Sequence, residues 1–230
     1  MKSETHSIPS SDVLCLIPMK DVNEAKKRLR ISFPTEKQQL ISSIVTKLFV
    51  NTIETVKKDF SFAVVSPSED TLELALENGA SFIYQDLGID LNDALTTSIN
   101  YAYLTSKWKY VLILTADLPY LNDILFAEVQ KYFHVDTFTI ISAPKKSNIQ
   151  GTSGLLIPLT NWPECKLVFG SDSFNKFLQE FQVKRFNFVP VQHKIGFDLD
   201  TAEDLHELKN TAPVIFKEII NEGVIDQLFT

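Results

Sequence analysis

The sequence predicts an α/β protein with a mostly parallel, doubly wound sheet covered by helices on both faces. Three observations lead there. Short apolar runs of strand length alternate along the chain with longer segments whose apolar residues recur at helical spacing. The runs are continuous rather than alternating in polarity, as strands covered on both faces read. No internal repeat, low-complexity stretch or Pro/Gly/Ser-rich linker divides the 230 residues, so one domain is expected.

The elements follow in order. Residues 13–19 (VLCLIPM) are the first strand. Pro34 and Thr35 open a helix over 35–58, in which Leu40, Ile41, Ile44, Val45, Leu48 and Phe49 keep three- and four-residue spacing. Residues 60–65 form the second strand, stopped by Ser66-Pro67. A helix over 68–78 closes at Gly79, the residue type that most readily takes the left-handed conformation after a helix. Residues 80–84 are a third strand, 91–105 a third helix, and 110–115 (YVLILT) the most apolar strand. Ala116-Asp117-Leu118-Pro119 follows, then a helix with Asn122 as its N-cap. After a strand over 137–143 comes a polar loop over 145–154 (KKSNIQGTSG), then a strand over 155–158. Phe169-Gly170-Ser171 leads into a helix over 173–181. A strand over 184–191, a helix over 201–208 with an acidic first turn and a short helix over 213–222 complete the chain. The expected organisation is a flexible N-terminus over 1–12, the domain over 13–210 and a C-terminal helical extension over 211–230.

Composition removes several function classes. Seven glycines are too few for a glycine-rich phosphate cradle, and neither GxxxxGK[ST] nor GxGxxG occurs. Cys15 and Cys165 stand alone, Cys15 inside an apolar run, so neither a disulfide framework nor a CxxC metal site is suggested and a reducing cytoplasm fits. The start MKSETHSIPSSD has no apolar core of a leader, and no apolar stretch reaches membrane-spanning length. A cytoplasmic protein without membrane attachment is expected. A formal charge of −7 argues against a nucleic-acid binder. The four histidines are scattered, and no H-E-x-x-H or G-x-S-x-G appears, so histidine and acyl-enzyme chemistry are not expected. Phosphoryl or nucleotidyl transfer needs no side-chain nucleophile when the substrate brings an ionised oxygen.

In a sheet of this kind ligands bind outside the carboxyl ends of the strands, and four groups stand there. The segment KDVNEAKKRLR after strand one gathers Lys20, Lys26, Lys27, Arg28 and Arg30 against two acids, in a chain that is acidic overall, and would draw an anion unless it is only a solvated loop. Asp117, at the end of a wholly apolar strand, reads either as a turn residue or as a ligand for a hard cation, and Asn122 is available for the capping. In Gly196-Phe197-Asp198-Leu199-Asp200-Thr201, Asp200 or Thr201 caps the next helix, whereas Asp198 has no such duty. Two such oxygens beside Asp117 would hold Mg²⁺ against a polyphosphate. Finally, Phe169-Gly170-Ser171-Asp172-Ser173-Phe174 runs into a helix start, where a phosphate or carboxylate is favoured and a plain serine cap is the alternative.

The ordered set Pro18-Met19-Lys20, Ala25-Lys26-Lys27-Arg28-Leu29, Val65-Ser66-Pro67, Leu91-Asn92-Asp93-Ala94-Leu95, Ala116-Asp117-Leu118-Pro119, Gly151-Thr152, the FGSDSF turn and Asp198-Leu199-Asp200-Thr201-Ala202-Glu203-Asp204-Leu205 resembles the CofC/FbiD family. These are the 2-phospho-L-lactate (or phosphoenolpyruvate) guanylyltransferases of coenzyme F-420 biosynthesis. The resemblance implies a Rossmann-like nucleotidyltransferase fold of the GT-A type, with a mostly parallel mixed sheet. It implies transfer of GMP from GTP to a small three-carbon phosphorylated acid with Mg²⁺ and release of pyrophosphate. It further implies that Lys20, Lys26 and Arg28 hold the triphosphate and assist its departure, and that Asn92 and Asp117 lie near the nucleotide. Asp117, Asp198 and Asp200 would bind the metal, and Thr152, Gly170, Ser171 and Ser173 would face the acceptor. A labile product would pass to the next enzyme of the pathway. The chain departs from the family's frequent GTNAL at Gly151-Thr152-Ser153-Gly154-Leu155, which bears on the acceptor. Two other readings remain on the residues alone. One is a sugar-nucleotide pyrophosphorylase or GT-A glycosyltransferase using Asp198-x-Asp200. The other is a non-catalytic nucleotide-binding module.

Overall fold

The computed structural model describes residues 8–85, 90–144 and 150–220. Its centre is a seven-stranded sheet in the order β3-β2-β1-β4-β6-β5-β7. The strands are β1 (Val13–Pro18), β2 (Ser61–Ser66), β3 (Phe82–Gln85), β4 (Tyr110–Leu114), β5 (Phe138–Ser142), β6 (Gly154–Pro158) and β7 (Phe188–Gln192). Strand β6 alone among them runs antiparallel to its neighbours β4 and β5, and every other pairing is parallel. The mostly parallel mixed sheet is therefore as expected. An apolar run such as GLLIP reads the same in either direction, which is why the sequence left the sense of β6 open.

The continuous apolar strands divide by parity between two cores. Val13, Cys15 and Ile17 of β1 with Tyr110, Leu112 and Leu114 of β4 face one side, and Leu14, Leu16, Val111 and Ile113 face the other. On the first side pack α1 (Lys27–Ile31), α2 (Gln38–Val56), α3 (Glu69–Glu77), α5 (Asp123–Gln130), α7 (Ala202–Thr211) and α8 (Pro213–Ile219), and on the second α4 (Leu91–Thr105) and α6 (Ser173–Lys184). Residues buried on alternate faces are the reason the runs carry no polar alternation. Cys15 and Cys165 are both buried free thiols, and burial pushes the Cys165 thiol up to about 12, so both are inert packing groups.

Local signals place the helices. Ser68, Asp90 and Asn122 cap α3, α4 and α5 by accepting from backbone N–H groups in the first turn. Gly79 closes α3 at φ +91°. The expected boundary between 181 and 184 is shifted. Helix α6 runs to Lys184, Arg185 turns the chain in the left-handed region, and β7 begins at Phe188. Helix α1 lies inside the basic segment that the sequence presents as a loop.

Candidate active site

Pairing in the sheet brings the candidate segments to one rim. Strands β1 and β4 are parallel neighbours, so the chain after Pro18 and the chain after Leu114 emerge side by side. Because β6 is antiparallel to β4, it is the entry to β6, residues 150–153, that reaches the same end. Backbone bonds close the cluster. Thr115 N–H donates to the Ser153 carbonyl at 2.9 Å, and Leu199 N–H to the Asp117 carbonyl at 3.1 Å. The Ser153 hydroxyl donates to the Gly196 carbonyl at 2.5 Å. Gly196 is required by a close approach: an added Cβ would lie 2.3 Å from the Ser142 carbonyl carbon.

Asp117, Asp198 and Asp200 each offer a carboxylate oxygen, and these oxygens lie within 4.8 Å of one another. The cap ambiguity is resolved in favour of Thr201. Its hydroxyl accepts from Asp204 N–H and the Asp204 carboxylate accepts from Thr201 N–H, a capping box that leaves the Asp200 side chain for the cluster. The ammonium of Lys26 enters this group and bonds Asp117 Oδ2 and Asp200 Oδ1. Asp117 Oδ1 is buried with no hydrogen-bond partner among the described residues.

The electrostatics follow from burial and from three acids sharing one ammonium. Burial works against the charge of Lys26, but Asp117 and Asp200 outweigh it and hold the ammonium firmly protonated. Burial likewise opposes ionisation of Asp117, and Lys26 overrides it, leaving that carboxyl below its usual range. Asp198 has no such partner. Burial, then the charges of Asp117 and Asp200, push its carboxyl up to about 6. Three hard oxygen donors, more negative charge than one ammonium offsets and an orphaned buried oxygen fit a divalent cation of the Mg²⁺ class.

The basic segment divides into two roles. Lys26 sits at φ 62°, ψ 47°, in the left-handed region, immediately before α1. Arg30, whose charge the sequence counts toward anion binding, is buried and spent on structure. Its guanidinium donates to the carbonyls of Ala25 at 2.6 Å, Val22 at 2.9 Å and Gln38 at 3.2 Å and to the Ser42 hydroxyl at 3.1 Å. It thereby fixes the turn from which Lys26 projects. Nothing in an isolated sequence separates such an arginine from its neighbours; only the depth of α2 behind it does. Lys20, Lys27 and Arg28 are exposed.

The expected acceptor residues lie on the β6 side. Ser173 is buried, and its hydroxyl accepts from Thr152 N–H at 2.9 Å, tying α6 to the entry of β6. Thr152 Oγ1 is buried with no hydrogen-bond partner among the described residues. Gly170, at φ +126°, and Ser171 are exposed. The helix start differs from expectation. Asp172, not a serine, occupies the N-cap, and the N–H groups of Ser173 and Phe174 donate to the Gly170 and Gln150 carbonyls. The Asp172 carboxylate instead accepts from Gln150 N–H at 3.1 Å and the Asn175 amide at 2.6 Å, so Asp172 and Gln150 shape the turn, two residues the motif reading missed. Asn92 makes a reciprocal pair with Phe169, accepting its N–H at 2.8 Å and donating to its carbonyl at 3.2 Å. Its amide therefore links the start of α4 to the FGSDSF turn. Residues 145–149 of the polar loop lie outside the described residues.

Known proteins resemble this chain over most of its length. The sequence profile of guanylyl transferases described as CofC like matches residues 13–210. A phosphoenolpyruvate guanylyltransferase of Sphaerobacter thermophilus is 26% identical over 208 residues, covering 87% of this chain and 94% of the relative. A 2-phospho-L-lactate guanylyltransferase of Methanosphaera stadtmanae is 26% identical over 219 residues, covering 92% of each. Among solved structures, a protein assigned as a nucleotide-diphospho-sugar transferase from Desulfovibrio desulfuricans G20 superposes with a TM-score of 0.70 at 16% identity, over 94% of this chain and 98% of that one. A 4-diphosphocytidyl-2C-methyl-D-erythritol synthase superposes with a TM-score of 0.61 at 9% identity, over 86% of this chain and 97% of that one, and the two likenesses establish a nucleotidyltransferase-type fold.

Proposed function

The chain belongs to the CofC-like guanylyl transferase family, and from that premise we propose that it moves GMP from GTP to a three-carbon phosphoacid, 2-phospho-L-lactate or phosphoenolpyruvate, in coenzyme F-420 biosynthesis. The observation that carries the reading to this molecule is the group Asp117, Asp198 and Asp200 with the Lys26 ammonium among them, at the carboxyl ends of β1 and β4.

The reaction balances without a side-chain nucleophile. An ionised oxygen of the acceptor phosphate attacks the α-phosphorus of GTP, the bond to the α–β bridging oxygen breaks, and pyrophosphate leaves with that electron pair. No proton has to be removed, which agrees with a site that offers carboxylates and ammonium rather than histidine. Lys26, Lys20 and Arg28 hold the triphosphate and offset the charge that gathers on the departing pyrophosphate. Thr152, Gly170, Ser171 and Ser173 seat the acceptor, and the buried Thr152 hydroxyl supplies an unused polar contact for it. Asn92 holds the FGSDSF turn against α4 on the nucleotide side. Asp117, Asp198 and Asp200 would hold Mg²⁺, which when bound supplies neutralisation of phosphoryl oxygens. Positioning of two anions against each other is the work left to the protein.

No helix among the described residues is long and apolar enough to cross a membrane. With two buried free thiols, a cytoplasmic enzyme that hands a labile phosphoanhydride to the next enzyme fits. The test is pyrophosphate release from GTP with 2-phospho-L-lactate, phosphoenolpyruvate or 3-phosphoglycerate, each alone, against a sugar phosphate. Turnover with one of the first two and none with the sugar phosphate is expected. Acceptor-independent or sugar-phosphate-dependent turnover would overturn the assignment.

A further inference from the structure

The ammonium of Lys26 stands where a divalent cation would have to stand. It bonds Asp117 and Asp200, two of the three acids whose oxygens lie within 4.8 Å of one another. An ammonium and a divalent cation cannot share so small a space, because like charges at such separations repel strongly in a part-buried site. Yet the ammonium answers the cluster poorly. It carries one charge against three carboxylates, its bonds go to Asp117 and Asp200 and not to Asp198, and it leaves Asp117 Oδ1 buried with no hydrogen-bond partner among the described residues.

The backbone behind Lys26 is clamped by contacts other than those that hold its side chain. Arg30 N–H donates to the Lys26 carbonyl at 2.9 Å, and the Arg30 guanidinium holds the carbonyls of Ala25 and Val22. Relocation of the ammonium therefore falls to the four rotatable bonds of the side chain, which can swing without moving α1. The neighbouring Lys20 and Arg28 are exposed on the same segment and would draw an anion to it.

We propose that Lys26 is an exchangeable placeholder: its ammonium holds the carboxylates together until a divalent cation takes their oxygens, and the freed side chain then turns to the triphosphate. The proposal rests on the metal reading above. It makes cation and nucleotide binding mutually favourable, because the same event vacates the metal position and delivers a cationic grip to the nucleotide. It also makes the nucleotide-free protein a weak cation binder, since the site is ready only while Lys26 is swung out.

Two measurements test it. The first is Mn²⁺ binding to nucleotide-free protein by calorimetry, comparing wild type with Lys26→Met, which keeps the length and removes the charge. If the ready form is populated about a tenth of the time or less, the variant binds Mn²⁺ about tenfold more tightly. Unchanged or weaker binding overturns the placeholder. The second uses wild type alone and so does not depend on the variant folding. An amine-directed reagent is applied with and without saturating Mn²⁺, and peptides are read by mass spectrometry. Lys26 should pass from protected to labelled while Lys27 stays constant, and continued protection of Lys26 with Mn²⁺ bound overturns the exchange. Should Asp117→Asn and Asp198→Asn bind Mn²⁺ as wild type does, the metal reading itself falls, a result distinct from failure of the exchange.

Discussion

Gly196→Ala is the sharpest probe of how the carboxylates are held. The added methyl would lie 2.3 Å from the carbonyl carbon of Ser142, 2.5 Å from its oxygen and 2.7 Å from the nitrogen of Ala143. All three are backbone atoms at the end of β5, a strand paired on both edges, so none can turn aside as a flexible side chain would. Relieving the overlap to ordinary contact requires a shift of about 1 Å in the segment that carries Asp198 and Asp200, since the buried strand will not yield. The three bonds that fix this segment, His193 N–H to Ser142 O, Ser153 Oγ to Gly196 O and Leu199 N–H to Asp117 O, all strain together. Overpacking of this kind costs about 1–3 kcal/mol, which for a chain of this size lowers Tm by about 2–12 °C. The functional effect should be about a hundredfold loss of turnover, because a displacement of about 1 Å at a reacting site costs about that much. Thermal unfolding, Mn²⁺ titration and pyrophosphate-release kinetics read the three consequences separately. Gly151→Ala, with nothing within 4 Å of the added Cβ, is the stability control and should leave Tm unchanged. A Gly196→Ala protein with wild-type Tm and wild-type turnover would refute the claim that the contact with β5 sets the position of Asp198 and Asp200.

Three further outcomes follow from the same geometry. Asp117→Asn removes one of the two acids on Lys26 and one proposed cation ligand, so turnover should fall by about a hundredfold or more while the fold persists; near-normal activity with Mg²⁺ would remove Asp117 from the site. Ser173→Ala strips the buried Thr152 N–H of its acceptor, costing about 1–3 kcal/mol of stability, and saturation by the phosphoacid should weaken with GTP dependence little altered; the reverse pattern would show that the halves of the site are exchanged. In metal-free protein Asp198 is held protonated up to about 6, so its contribution to stability is present below its ordinary value of 3.8 and is lost as pH rises through 6. Above that pH the third charge is exposed to a cation, so the gain in Tm on adding Mn²⁺ should grow between pH 5 and 7, and a gain flat across that range would count against Asp198 as a ligand.

Elements with strong local signals were legible. Helix α4 matches its expected bounds, since Asp90 caps it and helical spacing runs through it. The strands of the two-faced core were legible as continuous apolar runs of strand length. Helix α1 was not, since five residues entered through a left-handed lysine carry too little pattern. The candidate site was legible as residue types but not as contacts. Lys26 meets acids 91 and 174 positions away, and only the order of strands brings them together. Arg30 looked like its basic neighbours because depth, not identity, decides whether a guanidinium binds a ligand or the chain's own carbonyls. Asp172 stands at the N-cap position of α6 without a side-chain cap bond, because its carboxylate accepts from Gln150 N–H and the Asn175 amide instead.

The reversal of a single strand has an evolutionary consequence. Because β6 runs opposite to its neighbours, Thr152, a proposed acceptor residue, precedes a strand, whereas Asp117, a proposed metal ligand, follows one. The proposed acceptor residues thus lie between β5 and the start of α6, whereas Lys26 and Asp117 lie before β5 and Asp198 and Asp200 after β7. On the proposed roles, drift in the stretch from 150 to 174 would retune which acid is accepted while the residues proposed to handle the triphosphate are inherited unaltered, and a chimera exchanging that stretch between relatives with different acceptors is the natural unit of transplantation.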